Sequence, residues 1–197
     1  MSTIILASTS VYRRELLQRL GLPFEVISPG VDEGRQPDET ADALALRLSV
    51  EKARAVAHRH ADAIVIGADQ VAAMNGTILG KPGSPGRNID QLLAMSGREV
   101  TFHTAVTVVR AATDEALSRS VEVRAHLRNL SEEAIARYVA RESAVDAAGG
   151  FKVEGLGIAL FERVQSDDPT ALVGLPLIAL VDLLAELGID PLDGGHV

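Results

Sequence analysis

Ala63-Ile64-Val65-Ile66-Gly67-Ala68-Asp69-Gln70 is the stretch on which the fold turns. From Ala63 to Ala68 the run is apolar without alternation, which suits a central strand buried on both faces. It then meets a carboxylate. Open α/β sheets place their chemistry at the carboxyl ends of buried strands. Asp69 is therefore either a reacting or ligating group, or an aspartate satisfied by a turn or a helix start.

Toward the N-terminus, Ile4-Ile5-Leu6 reads as a short strand that leads into a helix from about Val11 to Leu20, with Leu16, Leu17 and Leu20 as its apolar side. Ser8 and Ser10 fall at the strand-to-helix turn, and Arg13 and Arg14 in the first turns of the helix. The free N–H groups and positive dipole end of a helix start favour anions, and a guanidinium matches phosphate oxygens. The same serines would also serve as N-caps and the same arginines as a solvated face. Gly21 ends the helix, Phe24–Ile27 forms a second strand, and Asp32-Glu33 sits in the loop beyond it. Thr40 caps a long helix from about Ala41 to His60, in which Leu44, Leu48, Lys52 and Val56 share one face. A lysine on that stripe either snorkels to water or delivers its ammonium to a cleft.

Toward the C-terminus, Asn75-Gly76 is a hairpin turn. The return strand carries Lys81 back along the strand that bears Asp69. A short helix over Asn88–Met95 precedes two β-branched strands, Val100–Val108 and Leu117–Leu127, expected to pair antiparallel. Ser131 caps the next helix, with Glu132 and Glu133 favourable in its first turn. Gly149–Gly157 reads as a glycine-broken strand with Lys152 and Glu154 on the face opposite Phe151 and Val153, either solvated or functional. A strongly apolar helix starts near Pro176 and stops at Gly188.

Bulk properties exclude several classes. A length of 197 residues with 47% hydrophobic content suits one globular domain over 1–197, divided into two lobes. A net charge of −8 repels nucleic acid, so a phosphate ligand needs a local basic site. The chain has no cysteine, which removes thiol nucleophiles, disulfides and zinc thiolate sites and permits a reducing cytoplasm. No signal peptide is visible, and no run reaches the ~18 apolar residues of a membrane span. A cytoplasmic protein without nucleic-acid or membrane partners is expected. There is no GxxxxGK[ST], GxGxxG or HExxH motif, and the serines lack His and Asp partners at suggestive spacing.

What remains is a set suited to a polyphosphate with Mg²⁺ or Mn²⁺. Ser8, Ser10, Arg13, Lys52 and Lys81 would meet phosphate, and Glu33 and Asp69 would supply hard oxygen ligands. Leu6–Leu17, Glu51-Lys52-Ala53, Gly67-Ala68-Asp69-Gln70, Gly80-Lys81-Pro82, Phe151–Gly155 and Leu172–Pro176 together resemble, in order over nearly the whole chain, the Maf family of nucleoside triphosphate pyrophosphatases. The resemblance implies a two-lobed mixed-sheet α/β fold with a central cleft, related to the inosine triphosphate pyrophosphatases. It also implies a divalent metal and hydrolysis of a nucleoside triphosphate to the monophosphate and pyrophosphate. Carried over, Asp69 is the catalytic acidic residue, Ser8, Arg13, Lys52 and Lys81 bind phosphate, and Glu33 holds metal or organises water. The family's usual Ser-Pro-Arg-Arg is here Ser10-Val11-Tyr12-Arg13, which loses one phosphate fork.

Tyr12, Gln70 and Lys152-Val153-Glu154 look like the branch acting on 7-methyl-GTP; the dTTP and UTP branch usually carries Arg, Thr and Gln at the specificity positions. An aromatic face attracts a cationic base by about 0.5–2 kcal/mol, and a carboxylate adds charge complementarity. Gln70 offers a hydrogen bond to the base. The alternatives are a dTTP/UTP pyrophosphatase and a non-catalytic nucleotide-binding regulator of septum formation. A homodimer is implied by the resemblance alone.

Overall fold

The structure is a computed structural model, described here for residues 3–193. The described residues form a seven-stranded mixed sheet in the order β2-β1-β3-β5-β6-β7, with β4 paired on the far end of β3. Its strands are β1 (Ile4–Ala7), β2 (Phe24–Ile27), β3 (Ile64–Met74), β4 (Thr77–Leu79), β5 (Glu99–Arg110), β6 (Glu115–Leu127) and β7 (Phe161–Gln165). The helices are α1 (Val11–Gln18), α2 (Ala41–Ala57), α3 (Pro85–Met95), α4 (Glu132–Arg141) and α5 (Leu177–Glu186). The mixed α/β architecture is as expected.

β1 lies between β2 and β3 and runs parallel to both. The other strand pairs are antiparallel, including the long β5–β6 ladder anticipated from its β-branched pattern. Asn75 and Gly76 take positive φ of 50° and 77°, as the tight β3–β4 turn requires. The structure differs from the expected elements in several places. The central strand does not stop at Ala68 but continues to Met74, because β5 pairs with it as far as Ala73. Helix α3 begins at Pro85 rather than Asn88, with Ser84 as its N-cap and proline in the first turn. β7 escaped the sequence reading because only Phe161 of its five residues is buried. Gly149–Gly157 is not a strand: two 3-10 turns, at Ala148–Gly150 and Leu156–Leu160, flank an irregular turn.

β1 pairs with β3 only up to Ala7 opposite Gly67. Beyond that pair β1 turns away into α1, and β3 runs from Ala68 to Val71 with that edge unpaired before β4 joins it at Ala72. That divergence opens the cleft. Alternation along β3 then sends Asp69 to the α2 face and Gln70 to the α5 face. On the α2 side the helix lies hard against the strand, since a Cβ on Gly67 would meet the Ser49 carbonyl and lie 2.7 Å from Ala53 N and 2.9 Å from Ala53 Cβ. Gly67→Ala must lift α2, and with it Lys52, off β3. Overpacking of this kind costs roughly 1–3 kcal/mol. A drop in Tm on the order of 4–12 °C is expected at the upper part of that range, with a loss of activity measured on the folded protein at low temperature. Unchanged Tm would show that α2 can yield.

Candidate active site

The cleft has a volume of about 840 Å³. All eleven residues singled out from the sequence contribute to its wall: Ser8, Ser10, Tyr12, Arg13, Glu33, Lys52, Asp69, Gln70, Lys81, Lys152 and Glu154. They come from six separate stretches of chain.

At the start of α1 the serines have local work. Ser10 Oγ accepts from Arg13 N at 3.3 Å and is the N-cap; Ser8 Oγ accepts from Ser10 N at 3.1 Å and is buried. The capping role is thus realised, and it points the helix start into the cleft. Arg13 Nε donates to the Gly174 carbonyl at 2.8 Å. This contact fixes the guanidinium plane while committing one of its three nitrogens. Burial lowers the proton affinity of Arg13, and nearby Asp69 and Glu33 act against that. An arginine remains a cation under any such shift.

The floor is a carboxylate–ammonium–carboxylate bridge. Lys52 is only 4% exposed, and its Nζ lies 2.6 Å from Asp69 Oδ1 and 2.6 Å from Glu33 Oε1. The ammonium does not snorkel to water; the burial of α2 against β3 delivers it to the cleft. Lys81 is largely exposed, and its Nζ is 4.0 Å from Glu33 Oε2. The hairpin carries the chain back along β3, as expected, and Lys81 arrives beside Glu33 in the cleft that Asp69 also lines. Burial alone would raise the proton affinity of Glu33, but the Lys52 hydrogen bond and the charges of Lys52, Lys81 and Arg13 outweigh it and hold the carboxyl below its usual range. A carboxyl with a depressed folded-state pKa stabilises the fold above its unfolded value, about 4.3, and that contribution disappears as pH falls through the lower folded value. The stability difference between wild type and Glu33→Gln is therefore expected to be constant above about pH 5 and to close on further acidification. Urea midpoints from pH 7 to pH 3 test this, and a gap that widens in acid would contradict it.

Tyr12, Lys152 and Glu154 gather at another part of the wall. Burial raises the proton affinity of the Tyr12 hydroxyl, and Glu154 adds to the rise. Burial likewise raises Glu154, with the neighbouring Glu142 in the same direction and Lys152 and Tyr12 opposing. Lys152 Nζ is 3.4 Å from Asp146. Gln70 is more committed than expected. Its Nε2 donates to Thr104 Oγ1 at 3.1 Å, to Ala171 O at 2.9 Å and to Leu172 O at 3.0 Å. The amide's donor side is used up, and its carbonyl oxygen is what remains for a ligand.

Arg13 and Gln70 thus lean on the same segment, 171–174, and the residues that hold this segment were not foreseen. Asp168 is 2% exposed and accepts from Thr170 N, Thr170 Oγ1, Ile178 N and Ala179 N. It ties the loop to the start of α5, where a negative charge is favoured. Backbone carbonyls carry no sequence signal. Asp168 lies ten residues before its N–H partner on Ile178, far outside the three-residue spacing of a local cap.

Among the described residues no group of three or more His, Cys, Asp or Glu side chains could by itself hold a metal ion. Glu33 and Asp69 converge within reach of one ammonium, however, and a Mg²⁺-type ion commonly needs only one or two carboxylates when substrate phosphates and water complete its shell. The donor set fits an ion that arrives with a phosphorylated ligand.

Taken together, the divergence of β1 from β3 gives an α/β protein with an open cleft, in which Arg13, Lys52 and Lys81 stand beside the carboxylates of Glu33 and Asp69. A HAM1 protein from Coxiella burnetii shares the fold, with a TM-score of 0.54 at 17% identity, covering 95% of this chain and 99% of that one. The profile described as "Maf-like protein" matches residues 3–187, and the chain belongs to the Maf family. Its relatives include a protein named 7-methyl-GTP pyrophosphatase from Thiobacillus denitrificans, 53% identical over 96% of this chain and 94% of the relative. Another of the same name, from Pseudomonas aeruginosa, is 50% identical over 96% of this chain and 99% of the relative.

Proposed function

We propose that the chain is a nucleoside triphosphate pyrophosphatase that hydrolyses 7-methyl-GTP to 7-methyl-GMP and pyrophosphate and so removes a modified nucleotide. The observation that carries this is Lys52, held between Glu33 and Asp69 in the same cleft as Arg13 and Lys81. A cationic wall alone would serve a binding protein. A buried aspartate beside the site of the phosphates is of use to a hydrolase. The substrate name comes from relatives at about half identity over nearly their full length. No helix among the described residues is long and apolar enough to cross a membrane. A cytoplasmic homodimer, each chain one domain of two lobes about the cleft, completes the proposal.

In this mechanism the triphosphate lies between Arg13 and Lys81, with the start of α1 against one phosphate. Lys52 holds Asp69 in place through Oδ1, which leaves Oδ2 to orient a water. The water oxygen forms a bond to the α-phosphorus and its proton passes to Asp69. The bond from the α-phosphorus to the bridging oxygen breaks, and that oxygen leaves with pyrophosphate, whose charge Arg13 and Lys81 neutralise. A divalent cation held by Glu33 and Asp69 would supply further neutralisation of phosphate charge. N7-methylation makes guanine cationic; the Tyr12 face and the Glu154 carboxylate would attract it, and the Gln70 carbonyl would accept from a base N–H.

Pyrophosphate release from 7-methyl-GTP, GTP, dTTP, UTP and CTP with Mg²⁺ or Mn²⁺ tests this. The expected result is a preference for 7-methyl-GTP over GTP in kcat/KM. Tyr12→Ala is expected to shrink that preference about 2- to 30-fold, as one lost cation–π contact would, and Glu154→Ala to do so by a similar factor. A preference for dTTP or UTP would overturn the specificity and keep the chemistry. Nucleotide binding without release would make the chain a regulator.

A further inference from the structure

The turn that carries Lys152 and Glu154 has no regular structure of its own, yet it is tied down from behind. Glu142 Oε1 accepts from Leu156 N at 3.0 Å, and Glu142 Oε2 accepts from Gly157 N at 3.0 Å. The Tyr138 hydroxyl donates to Glu142 Oε2 at 3.0 Å and accepts from Lys152 N at 3.2 Å. Both ends of the turn, residue 152 and residues 156–157, are therefore joined through one phenol–carboxylate pair. The turn's internal bonds, from Gly155 N and Gly157 N, both end on the Lys152 carbonyl at 3.1 Å, so the turn hinges on that residue. Neither Tyr138 nor Glu142 contributes to the cleft wall.

We propose that Tyr138 on α4 and Glu142, the residue that caps the C-terminal end of that helix, are positioning residues that set where Glu154 stands in the cleft and thereby tune selection of the cationic base. This rests on the specificity stated above. A merely structural account fits poorly. Glu142 has no Lys or Arg within 4.0 Å among the described residues, and its charge is met by backbone N–H groups and one phenol. It also stands close enough to Glu154 to raise that group's proton affinity. Two carboxylates facing one turn repel each other, and apolar packing would have held the turn without that repulsion. Burial pushes the Tyr138 phenol further above its usual value, so it stays a neutral donor to Glu142. Glutamine at 142 offers one oxygen for two N–H groups and turns an NH₂ toward the other, so one of the two ties that hold the turn from outside is lost.

The test is the ratio of kcat/KM for 7-methyl-GTP to that for GTP, which is independent of the fraction of protein that is folded. Glu142→Gln is expected to lower the ratio on the order of tenfold, about the worth of one hydrogen bond to a charged group, mainly through KM for the methylated substrate. Tyr138→Phe keeps the ring packed and is expected to lower the ratio in the same sense, so the test stands even if Glu142→Gln folds poorly. In an Glu154→Ala background neither change should move the ratio further. A lowered Tm with an unchanged ratio overturns the proposal, as does a full effect of Glu142→Gln when Glu154 is already absent. If the wild type does not discriminate between the two substrates, the base specificity itself fails and takes this proposal with it.

Discussion

Asp69→Asn is expected to keep its fold and to lose about 10²- to 10⁴-fold in turnover of 7-methyl-GTP, the usual worth of a positioned general base. The two halves of this expectation have separate causes. Asparagine has the shape of aspartate and can still accept from Lys52 Nζ, while Glu33 remains 2.6 Å away on the other side of that ammonium. The cation is not orphaned, and the stability loss should stay within about 1–2 kcal/mol. Neutral asparagine cannot take a proton from water, however, and it is a poorer oxygen donor to a hard cation. Single-turnover rates and a urea melt on the same preparation test both halves. A well-folded Asp69→Asn that turns over at a tenth of the wild-type rate or better would remove Asp69 from the chemistry.

Lys52→Met strikes the same bridge from its centre and is expected to damage both fold and function. Methionine suits the apolar stem between α2 and β3, yet it leaves two carboxylates without the ammonium between them. Glu33, whose side chain is 51% exposed, can turn to water; Asp69, at 11%, cannot. Removing one partner of a buried pair costs roughly 3–5 kcal/mol, and solvent relief at Glu33 places this case at the lower end. kcat/KM is expected to fall about 10²- to 10³-fold beyond any loss of folded protein, because a fixed charge beside the reacting phosphate has gone. Equal stability with retained activity would mean that the bridge is incidental. The two variants also separate from each other: Asp69→Asn should bind nucleotide nearly as the wild type does, and Lys52→Met should not.

The sequence was informative wherever one stretch of chain decides its own environment. The unbroken apolar run before Asp69 specified a doubly buried strand because its neighbours on both faces are apolar. Thr40, Ser131 and the Asn75-Gly76 pair marked their own element ends through local hydrogen bonds and φ preferences. Lys52 remained ambiguous because periodicity gives a face but not what lies opposite it. Reading Lys152 and Glu154 onto a strand failed for a related reason. Alternation of apolar and charged residues is also produced by an irregular turn when side chains such as Glu142 and Tyr138, distant in sequence, take over its backbone hydrogen bonds. The role of the Gly174 carbonyl left no local trace, since its partner lies 161 residues away, and the local bonds of Asp168 to Thr170 do not reveal its tie to Ile178 and Ala179 at the start of α5.

The hydrogen bond from Arg13 to Gly174 spans 161 residues. During synthesis the start of α1 emerges well before the carbonyl that orients its arginine. A ribosome-bound chain that has emerged as far as Lys152 already holds Glu33, Lys52 and Asp69 of the floor, and Lys81 as well. It lacks the Ala171, Leu172 and Gly174 carbonyls that fix Gln70 and Arg13. Long-range closures of this kind come late in folding because their loop entropy must be met first. Closure of the Arg13 and Gln70 contacts therefore waits on segment 171–174, and Asp168 couples that segment to the docking of α5.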